Sequence, residues 1–255
     1  MEFELKQEKM RDLLEKMSVQ NLFPMSIIKA SEDEISSVQR EANGVGIREA
    51  RFKKSFFDKL NVEEDEIIEL DIQRALNIIK KLSSNTVLKF KTKDDKVVIS
   101  GKRVHINLSY REPKEEDIID QMPFEDIKDG VPTIKGVELS TEVKMKLTDL
   151  KDTTDYGNSL GTEFYTFETE KGKLKIRVGD LHKFSDFVLF EPEAEVEKGE
   201  DTEAIYTVGL PQIANTFVEK EFIIKFASGA PALVCEESKD SSLNLLLPPQ
   251  PKPNQ

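Results

Sequence analysis

The chain has 255 residues, enough for one large domain or two of ordinary size. Apolar residues make up 38% and charged residues 34%, which excludes wholesale disorder. Thirty-seven basic against 49 acidic residues leave a net charge of −12, so nucleic acid or phospholipid can be held only if the basic residues are segregated onto one face.

One cysteine, Cys235, excludes an internal disulfide or a cysteine zinc site, and the run Ala232-Leu233-Val234-Cys235 reads as a buried strand. His105 and His182 each stand alone, so no metal and no cofactor is expected. No apolar run approaches the roughly 20 residues of a membrane span. Glu2 and Glu4 stand where a signal peptide would be basic, so a soluble, intracellular protein is expected.

The first element is a helix from Gln7 to Met17, with Met10, Leu13, Leu14 and Met17 on one stripe. Strands follow at Met25–Ala30 and Val45–Phe52. Asp71 is placed to cap a second helix, Ile72–Leu82, which buries Ile72, Ala75, Leu76, Ile79 and Leu82. Arg74 and Lys81 project opposite that stripe and Lys80 flanks it, so this helix carries a basic outer face. Val87–Lys91 and Lys96–Ser100 form a hairpin about Asp94-Asp95, and Val104–Tyr110 alternates strictly after Gly101.

From Arg111 to Thr133 the periodicity breaks at Pro113, Pro123, Gly130 and Pro132, as in a connector between domains. Its Ile118, Ile119, Met122, Phe124 and Val131 imply that it lies against the body of the protein. Ser140 then caps a third helix, Thr141 to about Asp152, with Val143, Leu147 and Leu150 inward. Strands at Thr162–Phe167 and Lys173–Val178 flank Lys171-Gly172, and a fourth helix runs from Leu210 to Phe217. Helix, strand, turn, strand from Ile72 to Ile99 recurs from Leu210 to Cys235 at nearly the same spacing, which implies two similarly folded domains. The expected division is 1–112, connector 113–133, 134–249 and a disordered tail 250–255, in an α+β fold. A sheet across both domains leaves unlike edges near His105–Arg111 and Lys173–Val178, suited to head-to-tail pairing between copies.

No Walker loop, GxGxxG, GxSxG, HExxH or CxxC is present, and carboxylate runs such as Glu63-Glu64-Asp65-Glu66 read as solvated faces. A binding role is therefore the better starting point than catalysis. An enzyme of unfamiliar type stays as a third option, which a deep polar pocket would support.

Three segments carry a family resemblance: Phe52-Lys53-Lys54-Ser55-Phe56-Phe57-Asp58-Lys59-Leu60 with Leu70-Asp71-Ile72 and the helix ending Ile78-Ile79-Lys80-Lys81-Leu82; the connector ending Gly130-Val131-Pro132; and Ala227-Ser228-Gly229-Ala230-Pro231-Ala232-Leu233-Val234 with Leu245-Leu246-Leu247-Pro248-Pro249. Their order and the two-repeat plan resemble the sliding DNA clamps of the proliferating cell nuclear antigen type, over essentially the whole chain. The resemblance implies a ring of three subunits, a homotrimer or a heterotrimer of paralogues, with helices lining a hole around duplex DNA and antiparallel sheets outside. It implies DNA contacts from Lys9, Arg11, Lys16, Arg74, Lys80, Lys81, Lys144, Lys146 and Lys151 on the helices. The acidic runs at Glu63–Glu69 and Glu191–Glu203 would cover the outside.

The resemblance also implies that DNA polymerase, nuclease, ligase and clamp loader dock through short peptides. Their pocket would involve Arg40, Val45, Ile47, Gly130, Val131, Pro132, Pro231, Pro248 and Pro249. The chain departs from the family pattern at Arg40 and Gly44, in the acids Glu8, Asp12 and Glu15 on the first helix, and in a fourth helix with no basic residue before Lys220. No catalysis, cofactor or membrane contact is implied, and the compartment would be the cytoplasm or nucleoid of an archaeon or the nucleus of a eukaryote. The alternative is a divergent clamp-like scaffold that binds proteins without encircling DNA.

Overall fold

A computed structural model describes residues 1–41, 46–128, 131–179, 186–199, 201–206 and 209–250. The chain forms two compact units. The first comprises Met1–Glu41, Arg48–Met122 and Ser238–Leu243; the second comprises the described parts of Ala42–Ile47, Pro123–Glu237 and Asn244–Gln255.

In the first unit, β1 (Glu2–Lys6) leads directly into α1 (Gln7–Ser18). Then come β2 (Met25–Ala30), β3 (Glu34–Arg40), β4 (Ile47–Lys53), β5 (Lys59–Asn61) and β6 (Glu66–Asp71). The unit closes with α2 (Ile72–Ile79), β7 (Val87–Lys93), β8 (Lys96–Gly101) and β9 (Val104–Arg111). The strand order is β4-β3-β2-β6-β9-β8-β7-β1-β5. Met10, Leu13, Leu14 and Met17 of α1 bury as patterned and join Ile72, Ala75, Leu76 and Ile79 of α2, but α2 ends at Ile79, and Leu82, expected inward on the same helix, lies past its end and is only half-buried. The two helices pack on each other, with α1 against β1, β2 and β7. Asp71 caps α2 as expected, its Oδ1 accepting from Arg74 N at 2.8 Å.

The acidic run expected to be solvated continues into β6. There Glu69 is buried and accepts from Arg111 Nε at 2.5 Å and Nη2 at 2.7 Å, because β6 pairs with the end of β9. Such a bidentate fork compensates a carboxylate withdrawn from water.

The second unit opens with a small meander: β10 (Asp126–Lys128), β11 (Val131–Ile134) and β12 (Val137–Glu138). The segment expected to be a third helix splits here into β13 (Thr141–Lys146) and α3 (Leu147–Leu160). Thr141, Val143 and Met145 alternate inward on β13, whereas Val143, Leu147 and Leu150 also satisfy a helical stripe; the pairing of all six β13 residues with β19 decides for the strand. Next come β14 (Tyr165–Glu170), β15 (Lys173–Gly179), β16 (Phe187–Phe190), β17 (Glu195–Lys198) and β18 (Thr202–Tyr206). The unit ends with α4 (Leu210–Thr216), β19 (Glu221–Phe226), β20 (Ala232–Glu237) and β21 (Ser241–Leu247). Its strand orders are β17-β13-β19-β20-β21 and β16-β15-β14-β18. α3 packs on α4, β13, β15 and β16. Strand–helix at β1–α1 and again at β13–α3 repeats the β–α plan in the two units.

Candidate nucleic-acid face and partner site

The solvent sides of α1 and α2 carry most of the cations expected to meet DNA. Arg74 and Lys81 are exposed, and neither side chain makes an ion pair with a described residue. Lys80 lies in the turn that continues α2, its backbone N donating to Leu76 O at 2.9 Å. Its Nζ is 3.1 Å from Glu15 Oε1, the oxygen that Arg11 Nε also reaches at 3.0 Å. Lys9 Nζ donates to Phe56 O at 2.8 Å and sits 5.3 Å from that ring's centroid, a cation–π contact. Lys16 departs from expectation. It is only 1% exposed, donates to Ser241 Oγ at 3.1 Å and lies 3.7 Å from Asp12 Oδ2, so its charge is spent inside the first unit.

In the second unit the strand–helix correction moves Lys144 and Lys146 from a helix onto β13. Lys144 Nζ is 2.8 Å from Glu221 Oε2, and Lys146 is bonded to Glu193. These hydrogen-bonded carboxylates hold both ammonium groups above the ordinary lysine range. The two lysines line a groove of 480 Å³ with Lys173 and with Glu191, Glu193, Glu195 and Glu221, so carboxylates outnumber the ammonium groups there by one. Lys151 is exposed on α3 among Asp149, Asp152 and Asp155, and α4 carries no charge at all. Net positive charge on the helices is therefore concentrated at α2 and its C-terminal turn.

The residues expected to form a peptide pocket fall mostly in the second unit. Ile47 is 9% exposed at the start of β4. Beside it Gly46 passes so close to β21 that a Cβ would meet Leu246 O at 2.6 Å, which only glycine permits. Past buried Leu245–Leu247 the chain continues through half-buried Pro248 and Pro249, and Gln250 N donates to Ile205 O at 2.8 Å. Pro249 and Gln250 thereby wall a pocket of 370 Å³ with Ala204, Ile205, Ser228 and Gly229. Pro231 adjoins Ala230, whose carbonyl accepts from the Tyr206 hydroxyl at 3.2 Å. Burial raises that phenol well above its ordinary pKa, so it remains a donor. Val131 and Pro132 pair with Lys128 and Ile127 across the meander, and Ile127 is exposed.

Arg40 is exposed at the end of β3 in the first unit, while Val45 and Gly130 lie outside the described residues. Ala204, Ile205, Ser228, Gly229 and Gln250 were not among the expected wall residues. The tail-to-β18 bond that assembles them joins positions 45 residues apart in sequence, for which no local signal exists.

One expected edge is displaced. β15 pairs with β14 from Lys173 to Val178 and with β16 from Ile176 to Gly179, so on that side of the sheet the outermost strand is β16. Its Phe187 and Leu189 are 51% and 50% exposed. The other edge is as expected: β8 covers one side of β9 from Val104 to Ser109, and β6 pairs with the other side only at Tyr110 and Arg111, so among the described residues that side is open from Val104 to Ser109. Among the described residues, no group of three or more His, Cys, Asp or Glu could hold a metal ion, and no helix is long and apolar enough to cross a membrane.

No family model matches the chain, and no curated protein matches it. Solved structures do. An A. fulgidus PCNA bound to the C-terminal region of FEN-1 superposes with a TM-score of 0.80 at 14% identity, covering 99% of each chain. The Entamoeba histolytica proliferating cellular nuclear antigen gives a TM-score of 0.78 at 13% identity over 98% of both chains. The PCNA2–PCNA3 complex of Sulfolobus tokodaii gives 0.76 at 14% identity, over 98% of this chain and 99% of that one. The chain thus has the sliding-clamp fold from end to end, as the sequence resemblance implies.

Proposed function

We propose that this chain is a subunit of a sliding DNA clamp: a ring that encircles duplex DNA and tethers DNA polymerase and other replication and repair enzymes. The end-to-end clamp fold carries the proposal. The cations gathered on α2 and the turn after it support it, since an acidic chain with Arg74 on that helix and Lys80 and Lys81 just past its end can approach phosphates there and repel them elsewhere. Closure is topological, so phosphate attraction need only be weak and sequence-independent, which permits sliding. Lysines suit this as mobile point charges. No catalytic step and no cofactor is part of this reading, and its place is inside the cell.

Assembly follows from the edges. The open side of β9 in one copy adds to β16 of the next, and because the edges differ the contact is head-to-tail and closes as a trimer. The third member of such a ring is either this chain again or a paralogue. Partners dock by short peptides at the pocket beside Pro249, with nuclease, ligase, polymerase and clamp loader as the expected classes; that the C-terminal region of FEN-1 is bound to the A. fulgidus PCNA supports recruitment of a partner by its terminal segment.

The second reading, a clamp-like scaffold that does not encircle DNA, is favoured by the acid-rich α3 and uncharged α4. Loading onto nicked circular DNA separates the two. Clamp function gives retention on circles and loss on linearisation, weakened by Arg74→Ala/Lys80→Ala/Lys81→Ala most at low salt. Equal retention on circular and linear DNA, or none on either, overturns the ring.

A further inference from the structure

The outer face of the first unit's sheet holds a basic trough that the clamp reading does not use. Lys89, Lys91 and Lys93 alternate along β7 with Leu88 and Phe90, which are buried toward α1, so the lysines stand on the face away from the helices. Strand pairing extends each row: Lys89 to Ser100 and His105, Lys91 to Val98 and Asn107, and Lys93 to Lys96 and Ser109. Together they enclose a trough of 440 Å³ lined by four lysines against a single carboxylate, Asp94.

This charge is only partly balanced within the chain. Lys89 and Lys91 share Glu2, at 2.5 and 3.1 Å, which holds that carboxylate below its ordinary pKa. Lys93 and Lys96 make no ion pair with a described residue, although they stand directly opposite each other across the hairpin. Like charges so placed destabilise a strand pair. The hairpin end is nevertheless fixed, because the Tyr110 hydroxyl donates to Asp94 O at 2.7 Å. An acidic chain that keeps an unfavourable lysine pair on a rigid sheet face has a surface shaped for an anion.

We propose that this trough binds an extended, acidic peptide segment of a partner protein. Alternate side chains on a strand repeat at roughly 7 Å, so carboxylates at alternate positions of an extended peptide match the spacing of Lys89, Lys91 and Lys93. His105, Asn107 and Ser100 offer polar groups to its backbone. Three strands span only about 10 Å. A duplex is wider, and its phosphates would press against Glu2 and Glu4 on β1 and against Asp94 and Asp95 at the hairpin end. These acids frame a lane for one peptide chain.

The test is fluorescence anisotropy of a fluorescein-labelled peptide of alternating Glu and Ser against the full chain at low salt. Lys93→Glu/Lys96→Glu is expected to weaken binding roughly tenfold, since it reverses two unpaired contacts. Glu2→Gln is expected to strengthen it, by releasing Lys89 and Lys91. Arg74→Glu/Lys81→Glu makes the same charge change at α2 and the turn that follows it and is expected to leave it unaltered, so this proposal and the clamp reading fail separately. All these side chains are at the surface, and thermal melts verify the fold. Absence of binding by the wild-type chain, or equal binding by Lys93→Glu/Lys96→Glu, overturns the proposal. So does displacement by a duplex oligonucleotide at lower concentration than by unlabelled peptide, which would make the trough a nucleic-acid surface.

Discussion

Lys80 Nζ lies 3.1 Å from Glu15 Oε1, so a carboxylate on α1 restrains the cation just past the end of α2. Arg11 binds the same oxygen, and the net charge of this face is lowered by one glutamate. Glu15→Gln is therefore expected to raise affinity for short duplex DNA several-fold at low salt. It should steepen the dependence of log affinity on log salt by about 0.9 for each cation released to a phosphate. Titrations at a series of salt concentrations check this; an unchanged slope means that neither Lys80 nor Arg11 reaches DNA.

The exposed edge of β16 predicts assembly. Leu189→Asp places a charge on a residue that is 50% exposed in the single chain, where surface substitutions usually change stability by no more than about 0.5 kcal/mol. It is expected to convert a trimer to monomers by light scattering while the melting temperature of the monomer stays near that of the parent chain. A trimer that survives Leu189→Asp places the contact elsewhere.

Ile47→Asp is expected to weaken binding of a clamp-binding peptide by about 2 kcal/mol or more, as loss of a central apolar anchor does. Because Ile47 is nearly buried, the titration belongs well below the variant's melting temperature, with trimer mass measured in parallel. Pro249→Asp, at the wall of the 370 Å³ pocket, provides a more exposed second test. Equal affinity for both variants and the parent moves the site.

Arg48 is fully buried on β4 without an ion-pair partner among the described residues. It donates to Ser26 Oγ at 3.2 Å and to the Ser37 hydroxyl, and lies 4.9 Å from the Phe23 ring centroid, while its Nε is unsatisfied. Burial brings its pKa down to about 9. Ser26 and Ser37 also bond backbone carbonyls, so they stay satisfied without it. Arg48→Met is expected to stabilise the chain by about 1–4 kcal/mol at pH 7 in urea melts. A depressed base loses its proton in the folded state first, so the parent chain's deficit relative to Arg48→Met should shrink as pH rises through 9. Alkali acts oppositely through Tyr165, raised to about 12, so the comparison is between variants at each pH. A deficit that does not change with pH, or a destabilised variant, means that the guanidinium contributes more by packing than it costs in charge.

Local patterns in the sequence determined much of this protein. The helical stripes of α1 and α2, the Asp71 cap, the hairpin about Asp94-Asp95 and the second copy of the helix–strand–strand series all depend on residues within a few positions of one another. Burial periodicity and turn chemistry act at that range. Tertiary structure alone decided the rest. Val143, Leu147 and Leu150 fit a helix until pairing with β19 makes Thr141–Lys146 a strand. Lys16 and Lys80 carry the same charge on the sequence, yet one is sealed against Ser241 and the other stands at the surface beside Glu15. Whether a cation faces water, a carboxylate or a phosphate, and which strand is left at the edge, depends on groups brought together from distant parts of the chain, and neither composition nor spacing records them.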